Sequence, residues 1–147
     1  MGDPIVTELR LPSRLGFEKV AMSTAASVAN LMGFSPDRIE DLKTAVAEAC
    51  INAIEHGNKF NETLSVVVML VIDAESLEVK IHDQGTGVAE REPPAMDIDG
   101  KMAGRESPRG MGMFLIRALV DEVEYVREPA GSYARLVIHL NADGERV

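Results

Sequence analysis

At 147 residues, with 46% hydrophobic and 27% charged residues, the chain has the size and balance of one globular domain that buries its own core, and 1–147 is read as one. Fifteen basic residues against 24 acidic ones give a formal net charge of -9, the wrong sign for gaining affinity by releasing counterions from nucleic acid. The single cysteine, Cys50, excludes an intramolecular disulfide, no targeting pattern opens the chain, and the longest apolar run (66–72) is too short to span a bilayer. A reduced, cytoplasmic setting without a membrane partner is therefore expected.

Residues 5 to 11, IVTELRL, alternate loosely and predict a strand closed by Pro12 and Ser13. A helix is expected from Leu15 to Met32, with Phe17, Val20, Met22, Ala25, Val28, Ala29 and Met32 at mixed spacings of three and four, and Gly33 stops it. Ser35-Pro36-Asp37 starts a second helix: a hydroxyl caps free amides, proline costs nothing at the first position, and a carboxylate meets the positive end of the dipole. Ile39, Leu42, Val46, Ala49 and Ala53 give that helix one apolar stripe, ending at Gly57.

Residues 63–72 and 76–83, rich in β-branched side chains, predict an antiparallel hairpin whose first strand is buried on both faces. From Gln84 to Arg109 no period is sustained, and Pro93, Pro94, Pro108 and four glycines mark either a disordered stretch or a functional lid at about 88–109. A last helix is expected over 112–120, and 122–127 with 133–140, split by Pro129 and Gly131, form a second hairpin. Helices and antiparallel strands thus share one α+β chain.

Within EACINAIEHGN (48–58), Glu48 and Asn52 stand one turn apart on a face directed away from the Ile39, Leu42, Val46 stripe. Alone, that is what any solvated helix face shows. The order of the downstream segments adds meaning: a strand ends in Asp83 within HDQGTG (82–87), where Gly85 and Gly87 permit close backbone approach to a flat ligand. RGMGMFLI (109–116) then sets Gly110 and Gly112 at a helix entrance, where free amides suit phosphate. Each glycine pair by itself reads first as a tight turn or a loop end. Cys50 reads as core, His56 as a structural helix end, and His82 and His139 as packing or surface histidines.

Taken together and in order, these three segments resemble the N, G1 and G2 boxes of the GHKL ATP-binding superfamily. The form ExxxNAxEHG and the lack of an appended domain look most like the stand-alone anti-sigma factor serine kinases of the RsbW/SpoIIAB type (HATPase_c), and LPSRLGFEKV resembles that family's first strand and helix. The resemblance implies the Bergerat fold, a two-layer α/β sandwich in which a mixed, mostly antiparallel sheet carries helices on one face and an ATP lid. It implies ATP and Mg2+ as cofactors, Asn52 on the metal, Glu48 as general base and Asp83 on the adenine amine. Gly85 and Gly87 would line the base pocket, and Gly110, Met111 and Gly112 would offer amides to the phosphates. Of the lid cations Lys101, Arg105 and Arg109, roughly one is expected to touch phosphate.

The partners implied are a sigma factor that is sequestered, a STAS-domain anti-anti-sigma protein phosphorylated on serine, and a second copy in a homodimer. The alternative is a non-catalytic module of the same fold that docks a regulatory phosphatase or sensor protein. A third reading is a detached histidine kinase catalytic domain.

Overall fold

The computed structural model describes residues 3–85 and 108–140. In chain order they form β1 (Ile5–Pro12), α1 (Glu18–Met32), α2 (Pro36–Asn52) with a π-helical turn (Ala53–Gly57), β2 (Ser65–Ile72), β3 (Ser76–His82), α3 (Pro108–Leu119), β4 (Glu122–Glu128) and β5 (Gly131–His139). The five strands make one sheet in the order β1-β2-β3-β5-β4. Every described pairing is antiparallel, so the parallel component expected of a mixed sheet does not occur among the described residues.

One face of the sheet is apolar and buried: Val66, Val68 and Leu70 of β2, Leu77, Val79 and Ile81 of β3, and Ala134, Leu136 and Ile138 of β5. The helices cover it. α1 presents Ala21, Ala25 and Ala29, small residues repeating every four, and α2 presents Leu42, Ala45, Val46, Ala49 and Cys50. Small side chains on one helix let its axis approach its neighbour, so α1 and α2 share a dense core. The expectation that β2 is buried on both faces is corrected: Ser65, Val67, Met69 and Val71 are only half-buried, because no described element covers that side.

Local chemistry explains the helix ends. Arg38 N donates to Ser35 Oγ (3.2 Å), the predicted cap, with Pro36 in the first turn. Gly33 (φ +96°) closes α1 by donating to Ala29 O at 3.1 Å. α1 begins at Glu18 rather than Leu15, because Gly16 (φ +110°) turns the chain and donates to Glu18 Oε1 at 2.6 Å. α3 begins at Pro108, four residues before the expected start, so Gly110, Met111 and Gly112 lie in its first turns. β5 begins at Gly131, two residues early.

Candidate nucleotide-binding site

The second helix does not run evenly to Gly57. After Asn52 it widens into the π-helical turn Ala53–Gly57, an irregularity that concentrates at functional sites because it re-aims side chains. Gly57 is brought against Asp83: a β-carbon at Gly57 would overlap the Asp83 carboxylate, and one at Gly85 would overlap the Gly57 carbonyl oxygen. Gly131, at φ +145°, is pressed against the Asp83 carbonyl in the same way. Three glycines therefore enclose the end of β3, and any side chain at Gly57 or Gly85 would push the two loops apart.

Asp83 is held from several directions. Its Oδ1 accepts from Gly85 N (3.0 Å) and Ser132 N (3.3 Å), and its Oδ2 accepts from Ser132 Oγ (3.1 Å). Its own N–H donates to Ser132 O at 2.9 Å. An ionised carboxylate has about four acceptor positions, so three bonds leave one, on Oδ2, for a further donor. That position suits an exocyclic amine.

Behind Asp83 lies Asn58, 2% exposed. Its Oδ1 accepts from Gln84 N (2.8 Å), while Nδ2 donates to Ser13 Oγ (3.2 Å) and Ser65 O (3.0 Å). Gln84 reciprocates by accepting from Ser65 N at 2.6 Å. One carboxamide thus joins the end of the helix, the loop after β1, the start of β2 and the loop after β3. Directly after it, Lys59 (φ 49°) and Phe60 (φ 60°) both take left-handed backbone, which non-glycine residues seldom do.

Asn52 behaves differently from Asn58. Its side-chain Oδ1 and Nδ2 are both shut off from solvent and, among the described residues, have no hydrogen-bond partner of good geometry. The sequence places Asn52 on a face turned from the apolar stripe; the structure turns that face toward α3 and the end of the sheet instead of toward bulk water. Leaving a buried amide unsatisfied costs about 1–3 kcal/mol, a cost retained where a ligand supplies the partner. Asn52 precedes Gly57 by five residues, roughly 7 Å of helix rise, which sets its carboxamide near the Asp83 end of the sheet. Glu48 stands one turn earlier, half-buried.

Tyr125 of β4 completes this wall. Its register opposite Ala134 turns it to the helix-covered side, where its hydroxyl lies beside the Asn52 carboxamide without making a well-formed bond. Although 39% of the residue is exposed, burial of the hydroxyl end pushes the phenol up to about 12, with Arg117 and the Asn52 amide pulling the other way.

Among the described residues no group of three or more His, Cys, Asp or Glu side chains is arranged to hold a metal ion. A cation here would have to rest on Asn52 together with water and the ligand's own phosphates, which is how magnesium is commonly held. The orphaned carboxamide oxygen fits that role.

Of the residues singled out from sequence, Asp83 and Gly85 lie against Gly57 at the end of the helix that carries Glu48 and Asn52, and α3, whose first turns contain Arg109, Gly110, Met111 and Gly112, packs beside α2. Gly87, Lys101 and Arg105 lie outside the described residues, as does most of the lid. Ser132, Asn58 and Tyr125 escape the sequence reading. Asn58 closes the helix motif EACINAIEHGN with no local sign of its bonds, whereas counting hairpin registers would set Ser132 beside Asp83 and Tyr125 on the inner face. Cys50 is fully buried, and its thiol is pushed up to about 12, chiefly by burial and secondarily by Glu18. His82 packs against Tyr133 with the rings tilted by 40° and their centroids 4.7 Å apart, and His139 pairs with Glu122 at 2.8 Å.

A two-layer sandwich with an acid at a strand end, a glycine-lined approach and an orphaned asparagine defines a nucleotide-binding ATPase domain. Residues 11–138 match the family described as histidine kinase-like ATPase domain. Serine-protein kinase RsbW of Oceanobacillus iheyensis is 36% identical over 128 residues, covering 80% of this chain and 76% of that protein. Serine-protein kinase RsbW of Bacillus subtilis is 31% identical over 151 aligned positions, covering 95% and 88%. In fold, the chain is similar to the solved RsbU and RsbW domains of a Mycobacterium tuberculosis protein, with a TM-score of 0.65 at 17% identity over 91% of this chain. It spans 31% of that longer chain. The chain belongs to the histidine kinase-like ATPase domain family and, within it, to the RsbW-type serine-protein kinases, enzymes that use ATP.

Proposed function

We propose that this chain is a cytoplasmic anti-sigma factor and serine kinase, one domain over 1–147, which sequesters a sigma factor and transfers the γ-phosphoryl group of ATP to a serine of a STAS-domain antagonist. The observation that carries this reading is the buried carboxamide of Asn52, without a hydrogen-bond partner among the described residues, on the helix whose end packs Gly57 onto Asp83. In it, Asp83 Oδ2 accepts from the adenine amine, Gly85 and Gly87 line the base, and Asn52 presents its oxygen to Mg2+. The bound ion supplies charge neutralisation for the phosphates. Amides of Gly110, Met111 and Gly112 in the first turns of α3 face the phosphates, where the helix dipole favours negative charge, and Arg105 or Arg109 adds a cation.

Glu48 acts as general base. Its carboxylate takes the proton of the attacking serine hydroxyl as the new oxygen–phosphorus bond forms and the bond to the ADP oxygen breaks. The working unit is a homodimer. A direct test incubates the purified protein with Mg-ATP and candidate STAS-domain proteins. Acid-stable phosphate on serine is the expected product, and acid-labile phosphate or none would overturn the assignment. Calorimetry with Mg-ADP checks the nucleotide site separately.

A further inference from the structure

We propose that Tyr125 is a positioning residue for Asn52: its phenol oxygen accepts from Asn52 Nδ2 and so leaves Oδ1 as the end of the carboxamide turned to the metal-bound nucleotide. The inference rests on the nucleotide-site reading and adds to it the group that orients its metal ligand.

A carboxamide has two ends of nearly equal size and opposite chemistry. Oδ1 can ligate a hard cation and Nδ2 cannot, so an asparagine that serves a cation needs a neighbour to decide which end faces it. Metal ligands are commonly fixed in this way, by a hydrogen bond to the atom they do not offer the metal. For Asn52 the choice of neighbour is narrow. Both ends of its side chain are sealed from solvent, so bulk water is not there to satisfy Nδ2, and among the described residues neither end has a partner of good geometry.

Tyr125 is the hydroxyl that the fold brings there. It sits on the edge strand β4 opposite Ala134 of β5, which is itself opposite Ile81 of β3. Ala134 and Ile81 are buried in the helix-covered face, so Tyr125, in the same cross-strand row, points to that side. The end of α2 and its π-helical turn rest on β5, the strand beside β4. The phenol therefore reaches under the helix that carries Asn52, and its hydroxyl lies beside the carboxamide, short of a well-formed bond.

Phenylalanine would fill this wall equally well, since contact with Ala134 needs no oxygen. A tyrosine hydroxyl taken out of water normally has a polar partner, and the amide beside it is the group that lacks one. The bond becomes necessary once Oδ1 is committed to the ion: Nδ2 is then a buried donor, and the phenol oxygen is its acceptor.

Calorimetry of the full chain with ADP, in Mg2+ and in EDTA, tests this through the ratio of the two affinities. Tyr125→Phe keeps the ring in the wall; it should reduce the tightening by Mg2+ about threefold to tenfold and leave the affinity in EDTA within about twofold of wild type. In an Asn52→Ala background, where no amide remains to be oriented, adding Tyr125→Phe should change neither affinity. A phenol that touched the nucleotide directly would weaken binding in EDTA or in the Asn52→Ala background, and either result would overturn the positioning role. A Tyr125→Phe protein with the wild-type ratio would overturn it too, while leaving Asn52 as the metal ligand. A wild-type protein that binds ADP equally with and without Mg2+ would remove both, and one that binds no ADP would remove the nucleotide site itself.

A spectroscopic readout is independent of affinity. The chain has no tryptophan and two tyrosines, so in Tyr133→Phe, altered on the opposite face of the sheet, tyrosine emission reports Tyr125 alone. Adding Mg2+ to the ADP-bound protein should change that emission, and an unchanged signal would count against the contact.

Discussion

The α-carbon of Gly57 rests against the carboxylate of Asp83, with no space for even a methyl group between them. This contact joins the end of the asparagine-bearing helix to the acid at the end of β3, two features 26 residues apart in sequence, as counted from their numbers. Gly57→Ala must displace either the helix end or Asp83, which three hydrogen bonds hold in place. The expected outcome is a loss of about 1–3 kcal/mol in stability and at least a tenfold loss in nucleotide affinity, measured by denaturant unfolding and calorimetry.

Asn58→Ala removes a side chain that satisfies Gln84 N, Ser65 O and Ser13 Oγ at once. Leaving those groups unpaired should cost about 2–4 kcal/mol. Asn58→Asp should also destabilise, because a carboxylate accepts from Gln84 N but faces the Ser65 carbonyl with a second acceptor. A melting temperature within a degree of wild type for both variants would refute the role of this residue as a junction.

Asp83→Asn keeps one acceptor oxygen and replaces the other with an amino group. If Oδ2 accepts from the adenine amine, the loss of a charge-assisted bond of about 1.5–3 kcal/mol should weaken ATP and ADP binding by roughly 10- to 100-fold. Ser132→Ala removes only the hydroxyl that steadies Oδ2 and should weaken binding by less than about tenfold. Titration of both variants with ADP ranks the two effects; equal losses would contradict the assignment.

Glu48→Gln keeps size and polarity while removing the ability to take a proton at neutral pH. On the proposed function, phosphoryl transfer to a STAS-domain partner should fall about 100-fold or more with ADP affinity nearly unchanged. Undiminished transfer would take Glu48 out of the chemistry.

Two buried groups predict sensitivity to alkali. The Cys50 thiol, raised from 9.0 to about 12, and the Tyr125 phenol, raised from 10.0 to about 12, hold their protons more tightly folded than unfolded. Between those limits the unfolded chain has lost protons that the folded chain keeps, so the stability these groups contribute is full below pH 9 and falls as pH rises from about 9 to 12. Cys50→Ala and Tyr125→Phe should flatten that fall in a denaturant series across the window. In the folded protein at pH 8, Cys50 should resist thiol reagents until denaturant is added.

Much of the architecture is legible without coordinates because it depends on neighbours in sequence. Ser35 and Pro36 start α2 and Gly33 ends α1 through contacts within a few residues, and the alternation of β2 and β3 needs only the period of a pleated strand. The order Glu48, Asn52, Asp83, Gly85, Gly110, Gly112 likewise stands in the chain itself, and it is enough to indicate an ATP site.

Three matters required the tertiary structure. Whether Asn52 meets water or is sealed from it depends on α3 and β4, more than fifty residues away. The register that sets Ser132 on Asp83, and the bonds from Asn58 to Gln84 and Ser13 that make it a junction rather than a polar helix end, join segments 26 to 49 residues apart. Sequence determined the local elements and the order of the chemistry because helix caps and strand periods are satisfied by adjacent residues. Only the fold decided which polar groups are buried and who their partners are, because burial and hydrogen-bond satisfaction are set by whatever the packed chain brings alongside.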